Sequence, residues 1–322
     1  MSLVTPATAA VVVATYNRPE HVRTCLEHLG AQTRLPDEVV VVDSSPDART
    51  RDVVAGFPGV RYLRNDLGRG HTAASRALGM AAVTSDVVAF VDDDAYAEPG
   101  WLAAILARYA DPRVAAVGGR AVNGQPGEEA EGVGEIGLLR RDGTLTGYFA
   151  ADPGRDVDVD HLLGANMSVR ASVVAELGGI RDLYPGTCLR EETDIQLRMR
   201  HAGYRIVFAP DAVVEHVAGQ YARGRRFDLR YTYYGQRNHV VLLTTTLGWR
   251  DPHVRRYAGA AARDVGRHLG YAARALRRVR PEDGSVVRGV GNGLLRSGAS
   301  VAGSAAGVVA AARASIALAR DA

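Results

Sequence analysis

Residues 86–101 read DVVAFVDDDAYAEPGW, an apolar run that closes on three adjacent carboxylates, Asp92, Asp93 and Asp94. A proline, Pro99, then stands where a helix carrying Trp101 would begin. Upstream lie three similar apolar runs, at 11–15 (VVVAT), 38–43 (EVVVVD) and 60–64 (VRYLR). Stretches of helical composition at about 19–31, 47–55 and 71–82 separate them, and Pro19 takes the first helical position after Arg18. Short Val-rich runs alternating with helices predict βαβ units, hence an α/β fold whose parallel sheet is covered on both faces. In open α/β sheets ligands collect beyond the carboxyl ends of the strands. Thr15 to Arg18, Asp43 and Asp92 to Asp94 are therefore expected to converge there.

Downstream, the stretch from about 120 to 160 is rich in Gly, Asp and Glu and reads as loops and short strands over the sheet edge. HLLGANMSVR (161–170) predicts a strand, ASVVAELGG (171–179) a helix with a glycine stop, REETDIQLRMRHAG (190–203) a further helix, and YRIVFAPDAVVEH (204–216) a strand pair. From Arg225 the pattern changes to long helices, 225–247, 252–280 and 285–320, broken at Gly248, Pro252 and Pro281 to Gly284. This divides the chain into an α/β domain over 1–220 and a basic helical region over 221–322.

The 322 residues are 47 % apolar and 23 % charged, the balance of a soluble globular protein. A net charge of +3 conceals an asymmetry: residues 1–216 carry −9, and residues 217–322 carry +12. All 39 basic side chains are arginine. Without lysine, a P-loop phosphate grip, a Schiff base or a pyridoxal phosphate attachment is excluded. Cys25 and Cys188 have the spacing of neither a disulfide framework nor a metal site, so a reducing, cytoplasmic setting is expected. The amino-terminal MSLVTPATAAVVVATYNR does not read as a signal peptide. Ser297 to Ala312 is uncharged but falls short of the roughly 20 apolar residues that cross a bilayer, so no transmembrane helix is expected.

Three neighbouring carboxylates repel one another unless a cation or several donors offset them. Oxygen ligands select a hard ion, Mg²⁺ or Mn²⁺, of the kind that bridges to a diphosphate. An acidic turn preceding a helix is the alternative, and the strand-end position favours the ligand site. Asp43 ends its strand where nucleotide sites often set an acid toward ribose or base. The dinucleotide fingerprint is absent, because strand one is followed by Thr15-Tyr16-Asn17-Arg18-Pro19. LGRGHTA (67–73) has the spacing of neither nucleotide loop.

Five segments taken together, VVVATYNRPEHVRTCLEHLGAQTRLPDEVVVVD, NDLGRGHTAASRALGMA, VAFVDDDAYAEPGWL, GANMSVR and REETDIQLRMRHAGYRIVFAPDAVVEH, resemble family 2 of the glycosyltransferases, the inverting GT-A group. The resemblance implies a GT-A nucleotide-diphospho-sugar transferase fold, a Rossmann-like mixed sheet, here with a C-terminal helical extension. It further implies that Thr15, Tyr16, Asn17 and Arg18 line the nucleotide pocket, that Asp43 bonds the base, and that Arg76 reaches the nucleotide. Asp92 would face ribose or metal and Asp94 would bind the metal. Asp93 would occupy the variable position of the donor site, and His216 would add a metal ligand. Gly164, Ala165 and Asn166 resemble the segment facing acceptor and donor sugar. Inverting transfer needs a carboxylate to take the acceptor's proton. Aligning on Thr193, Asp194 and Arg198 puts Glu192 in that position, with Glu191 as second choice and Asp194 orienting the helix. Trp101 is either core or acceptor platform, and Arg190 either aids the diphosphate or lies on the surface.

The expected partners are a nucleotide-diphospho-sugar, a UDP- or dTDP-sugar first, and a hydroxyl-type acceptor in a glycan, glycolipid or natural product, with a divalent metal, Mn²⁺ or Mg²⁺, as cofactor. The basic carboxyl-terminal third reads as solvated helix faces or as a peripheral contact with an anionic membrane, and nucleic acid is not expected. Arginines near 223–237 would also serve to close over the diphosphate. Two other functions share parts of the pattern. A nucleotidyltransferase needs a lysine-assisted triphosphate grip, which this chain lacks, and a non-catalytic nucleotide-sugar-binding or assembly protein would have no use for Glu192.

Overall fold

In the computed structural model residues 8–217, 228–277 and 285–320 are described. The chain forms two compact units. One comprises Met1–Leu138, Thr146–Asp182 and Glu191–Arg223; the other comprises Leu139–Leu145, Leu183–Arg190 and Gly224–Ala322. The helical unit thus takes in two short stretches from earlier in the chain. The linear boundary at 220/221 itself lies outside the described residues.

In the first unit, β1 (Ala9–Thr15), β2 (Glu38–Asp43), β3 (Val60–Arg64) and β4 (Val87–Asp92) pair in parallel in the order β3-β2-β1-β4. The helices α1 (Pro19–Gly30), α2 (Arg49–Val54) and α3 (Thr72–Ala81) connect them. Each falls within a residue or two of its predicted place. α1 starts on Pro19 and buries Val22, Cys25, Leu26 and Leu29, the i, i+3, i+4, i+7 stripe of a helix lying on a sheet. Val11, Val13 and Val91 pack on that face with α1 and with Trp101 and Ile105. Val12, Val40 and Phe90 pack on the other with Met167, Ile195 and Met199. Burial of alternate residues on both faces is why these strands read as continuous valine runs.

Beyond β4 the sheet becomes mixed. β8 (Asn166–Arg170) runs antiparallel between β4 and β6 (Val114–Val122), β9 (Arg205–His216) runs parallel to β6, and β5 (Ala95–Ala97) and β7 (Val157–Asp158) flank β9 antiparallel. Three sequence expectations change here. The helix carrying Trp101, α4 (Trp101–Arg108), is capped by Gly100, so Pro99 lies outside it and its carbonyl accepts the Thr33 N–H at 2.8 Å. Residues 204–216 form one strand, not a pair. β9 bends at Pro210 opposite a register shift at Gly119/Ala121, where a Cβ on Gly119 would meet the Ala209 and Ala212 carbonyls. A missing donor and a bulge go together in a sheet. β6 itself, VAAVGGRAV, was not anticipated as a strand, since its glycines interrupt the apolar pattern. α5 (Ala171–Glu176) and α6 (Glu191–His201) complete the unit.

The second unit contains α7 (Leu229–Thr246), α8 (Pro252–Arg277) and α9 (Ser285–Arg320). Asp228 caps α7 by accepting the Tyr231 N–H at 3.0 Å, and Gly248 at φ 88° ends it. Leu243, Tyr257 and Ala260 form its core with Leu139, Val240 and Leu247, and the His239 ring bonds the Gly143 carbonyl at 2.7 Å. α9 revises the length argument about membranes. The uncharged stretch is part of a 36-residue helix, of which Gly289–Arg320 is long and apolar enough to cross a bilayer.

Candidate active site

Parallel pairing brings Thr15 level with Asp43, and Ala14 level with Asp92, at the carboxyl ends of β1, β2 and β4. The three aspartates after β4 then diverge. Asp93, 4 % exposed, turns inward: its Oδ2 accepts from the Thr15 hydroxyl at 2.7 Å and its Oδ1 from Arg18 at 3.0 Å. Burial and the neighbouring Asp94 push its carboxyl up to about 7 against the pull of Arg18. The same Arg18 nitrogen also bonds Asp94, and His216 Nε2 lies 3.5 Å from Asp94 Oδ1. Burial works against the charge on Asp94, but the His216 hydrogen bond and the Arg18 charge outweigh it and hold the carboxyl below its ordinary range. His216 is the reciprocal case: burial disfavours its protonation, and Asp94 and Asp92 raise it nonetheless. Ligand atoms of Asp92, Asp94 and His216 all lie within 4.8 Å of one another. Two carboxylate oxygens and an imidazole nitrogen converging at that separation fit a divalent cation such as Mn²⁺.

Asp43 is wholly buried and supports the adjoining loops. It accepts the Ser45 N–H at 2.8 Å, the Ser45 hydroxyl, and the Tyr62 hydroxyl at 2.9 Å. Ser45 in turn accepts the N–H of Asn17 at 2.7 Å, holding that residue at φ 58°. Tyr16, Asn17 and Arg18 thereby form an exposed rim over the strand ends. Sequence reasoning did not find Ser45 and Tyr62; a serine pair directly after a strand-end aspartate was the available signal.

Arg76 on α3 joins the remaining parts. It is 3 % exposed; Nη2 donates to Asp92 Oδ1 at 2.9 Å and to the Gly164 carbonyl at 2.8 Å, and Nη1 donates to Glu191. A Cβ on Gly164 would lie 2.7 and 2.8 Å from the two guanidinium nitrogens, so glycine is required for the guanidinium to reach. Burial disfavours the Arg76 charge, and Glu191 and Asp92 more than restore it. Glu191 is itself driven up to about 8 by burial, with Glu192 and Asp92 adding to the rise and Arg76 opposing it. Glu192, the next residue in the first turn of α6, is half-buried.

The other predicted residues have the following surroundings. Asp194, 1 % exposed, pairs with Arg198 at 2.7 Å, and Arg198 donates to the Leu177 and Gly179 carbonyls, fastening the loop after α5 to α6. Asn166 accepts the Trp101 indole N–H at 2.8 Å and donates to the Arg120 and Ala212 carbonyls. Trp101 is therefore core. Ala165 is buried beside Gly164, and Arg190 falls in the second unit. Arg223, Arg225 and Arg226 lie outside the described residues.

Comparison with known proteins points one way. The sequence model of "Glycosyl transferase family 2" matches residues 10–178. The chain is similar to a pre-mycofactocin glycosyltransferase of Mycobacterium tuberculosis, 32 % identical over 181 residues, which are 55 % of this chain and 37 % of that protein. It thus spans little more than a third of that relative's length. A glucosyl-dolichyl phosphate glucuronosyltransferase of Haloferax volcanii is 31 % identical over 225 residues, 66 % of this chain and 70 % of that one. Among solved structures, mannosyltransferase PcManGT from Pyrobaculum calidifontis, in complex with GDP-Man and Mn²⁺, shares the fold with a TM-score of 0.56 at 18 % identity, covering 92 % of this chain and 87 % of that one.

Proposed function

The chain belongs to glycosyl transferase family 2, and from that membership we propose that its first unit transfers a sugar, with inversion, from a nucleoside-diphosphate donor to a hydroxyl acceptor. The observation that carries this reading is the Arg76 bridge. One guanidinium ties Asp92, at the end of β4, to Glu191, at the start of α6, so the cation-binding carboxylates and the first turn bearing Glu192 share one site.

Roles follow from accessibility. Glu191 is buried against Arg76 and is fully occupied in positioning it. Glu192, more accessible, accepts the proton of the acceptor hydroxyl as that oxygen bonds the anomeric carbon, while the bond from that carbon to the diphosphate oxygen breaks and its electron pair leaves with the nucleoside diphosphate. Asp92, Asp94 and His216 hold the divalent cation, Mn²⁺ or Mg²⁺. That ion, when bound, supplies positive charge to the departing diphosphate. The exposed rim of Tyr16, Asn17 and Arg18, with Thr15 buried at its base, receives the nucleotide, and Asp43 keeps that rim in place through Ser45. In a chain without lysine the side-chain guanidinium groups beside the cluster among the described residues are those of Arg18 and Arg76, and Arg18 is the accessible one. A cytoplasmic location belongs to the same reading.

A thermal-shift panel of UDP-, dTDP- and GDP-sugars, each with and without Mn²⁺, tests the donor site. One donor should raise Tm by several degrees with the metal and far less without it; stabilisation by none of them defeats the reading. Glu192→Gln should keep the donor-induced shift and lose transfer, and an active variant would remove Glu192 from its role.

A further inference from the structure

α9 is built inside out for a helix facing water. The side it buries is a line of small residues: Gly293, Ser297, Gly303, Gly307 and Ala311, with Gly303 and Gly307 set against the α7 backbone at Tyr233 and Arg237, and Gly293 against Ala272 of α8. The side it exposes carries the large apolar groups. Leu294, Val301, Val309 and Ile316 are each more than half exposed. At about 100° per residue these four fall within about 80° of one another, and they extend over about 33 Å of helix. A soluble helix places its large apolar groups inward and leaves no continuous apolar ridge outside. Only 22 % of the most apolar window of α9 is buried.

Charge identifies what covers this ridge. α8 and α9 together contain ten arginines and one acid, Asp264. Arg313 and Arg320 on α9 are exposed and lie within about 40° of the ridge around the helix. A second copy of the chain would bring two such arginine sets together, which is repulsive. A surface of anionic lipid headgroups over hydrocarbon meets both features. Immersion of the whole unit is opposed by Asp264, which accepts from Gln236 at 3.0 Å and from Ser300 at 3.4 Å and pairs with Arg267; ionised groups of this kind are costly in hydrocarbon. We propose that α9 lies in the plane of an anionic membrane surface, with its Leu294–Ile316 ridge in the acyl boundary and Arg313 and Arg320 against the headgroups.

Flotation of the full chain with vesicles tests this. The protein should float with an equal mixture of phosphatidylcholine and phosphatidylglycerol and much less with phosphatidylcholine alone, and raising salt from about 0.05 to about 0.5 M should weaken the binding. The combined substitution Val301→Gln, Val309→Gln and Ile316→Gln should cut binding about tenfold or more with unchanged circular dichroism and Tm, because all three side chains are already exposed. Arg313→Gln and Arg320→Gln should each cost about fivefold on the anionic vesicles. Wild-type protein that does not float with anionic vesicles, or that binds both compositions equally, overturns the proposal. So does a concentration-dependent dimer in lipid-free buffer that the triple substitution abolishes while vesicle binding persists; the ridge would then be an interface between copies.

Discussion

The parallel strands of the first unit have carboxylates at both ends, in opposite electrostatic states. At the amino ends, Asp37 accepts the Ala9 N–H and the Arg34 guanidinium, each at 2.7 Å. Glu38 accepts the Thr84 and Ser85 N–H groups and the Ser85 hydroxyl. Asp111 is held by Arg113 and Arg205. Slight burial disfavours the charge on Asp37 and Glu38, yet these donors hold both carboxyls below their ordinary range, and the Arg113 hydrogen bonds do the same for Asp111. At the carboxyl ends Asp94 is likewise lowered, by His216 and Arg18, but Asp93 and Glu191 are raised, because they are buried among other acids with too few cations. One end of the sheet is electrostatically complete, while the other carries a net demand for positive charge. A functional site is where a fold tolerates such a deficit.

Five experiments probe this contrast. The largest effect is expected at the incomplete end: Glu192→Gln should lower kcat by about 10²–10⁴ while Tm stays level or rises, since one of the acids crowding Glu191 is neutralised. A large loss of stability would mean that the deficit had been misplaced. Arg76→Ala leaves Glu191 and Asp92 without their shared cation and should cost about 3–5 kcal/mol in urea unfolding. Arg76→Lys should not restore it, because an ammonium does not span both carboxylates and the Gly164 carbonyl. Gly164→Ala forces the guanidinium aside and should cost about 1–3 kcal/mol, with activity falling as well.

The fourth experiment follows stability against pH in the metal-free protein. Glu191, raised to about 8, and Asp93, raised to about 7, keep protons in the fold that the unfolded chain releases near pH 4. The folded state then binds more protons, so stability should decline as pH rises from about 5 to about 8. Glu191→Gln should flatten that slope. Asp37 and Glu38 have the opposite sign: their contribution is present above about pH 4 and is lost as pH falls through their lowered folded values. The smallest effect is expected at Glu38→Gln, about 1 kcal/mol with transfer unchanged; an activity loss there would break the division of the sheet into a structural and a functional end.

How far this was legible in sequence varies along the chain. β1 to β4 and α1 to α3 were readable because each is a short local pattern, and their order alone brings Thr15, Asp43 and Asp92 to one edge. β5 and β6 were not, since a three-residue strand has no period and VAAVGGRAV carries glycines, of which Gly119 lets β9 approach closely. Asp92, Asp94 and His216 were found as a set from their motifs. Asp43, Asn166 and Asp194 were placed from their motifs, which did not reveal the hydrogen bonds that each makes to neighbouring loops or helices. Their partners, such as Ser45, Tyr62, Trp101 and Arg198, include residues of other strands and helices that only the fold brings alongside. Composition raised both the arginine-rich carboxyl-terminal region and its membrane option, but the 16-residue uncharged stretch understated α9.

The sequence alone determined the alternation of strands and helices, the acidic strand ends, the charge asymmetry and the absence of lysine, all of which are local or additive properties. Tertiary structure decided which carboxylates face outward and which are consumed. That choice depends on meetings between residues as far apart as Arg76 and Glu191, separated by 115 positions, or Arg18 and Asp94, separated by 76. Such distances are closed by the pairing of strands, and only once they are closed do burial and neighbouring charge put one aspartate in the candidate cation cluster and turn the next inward against Thr15 and Arg18.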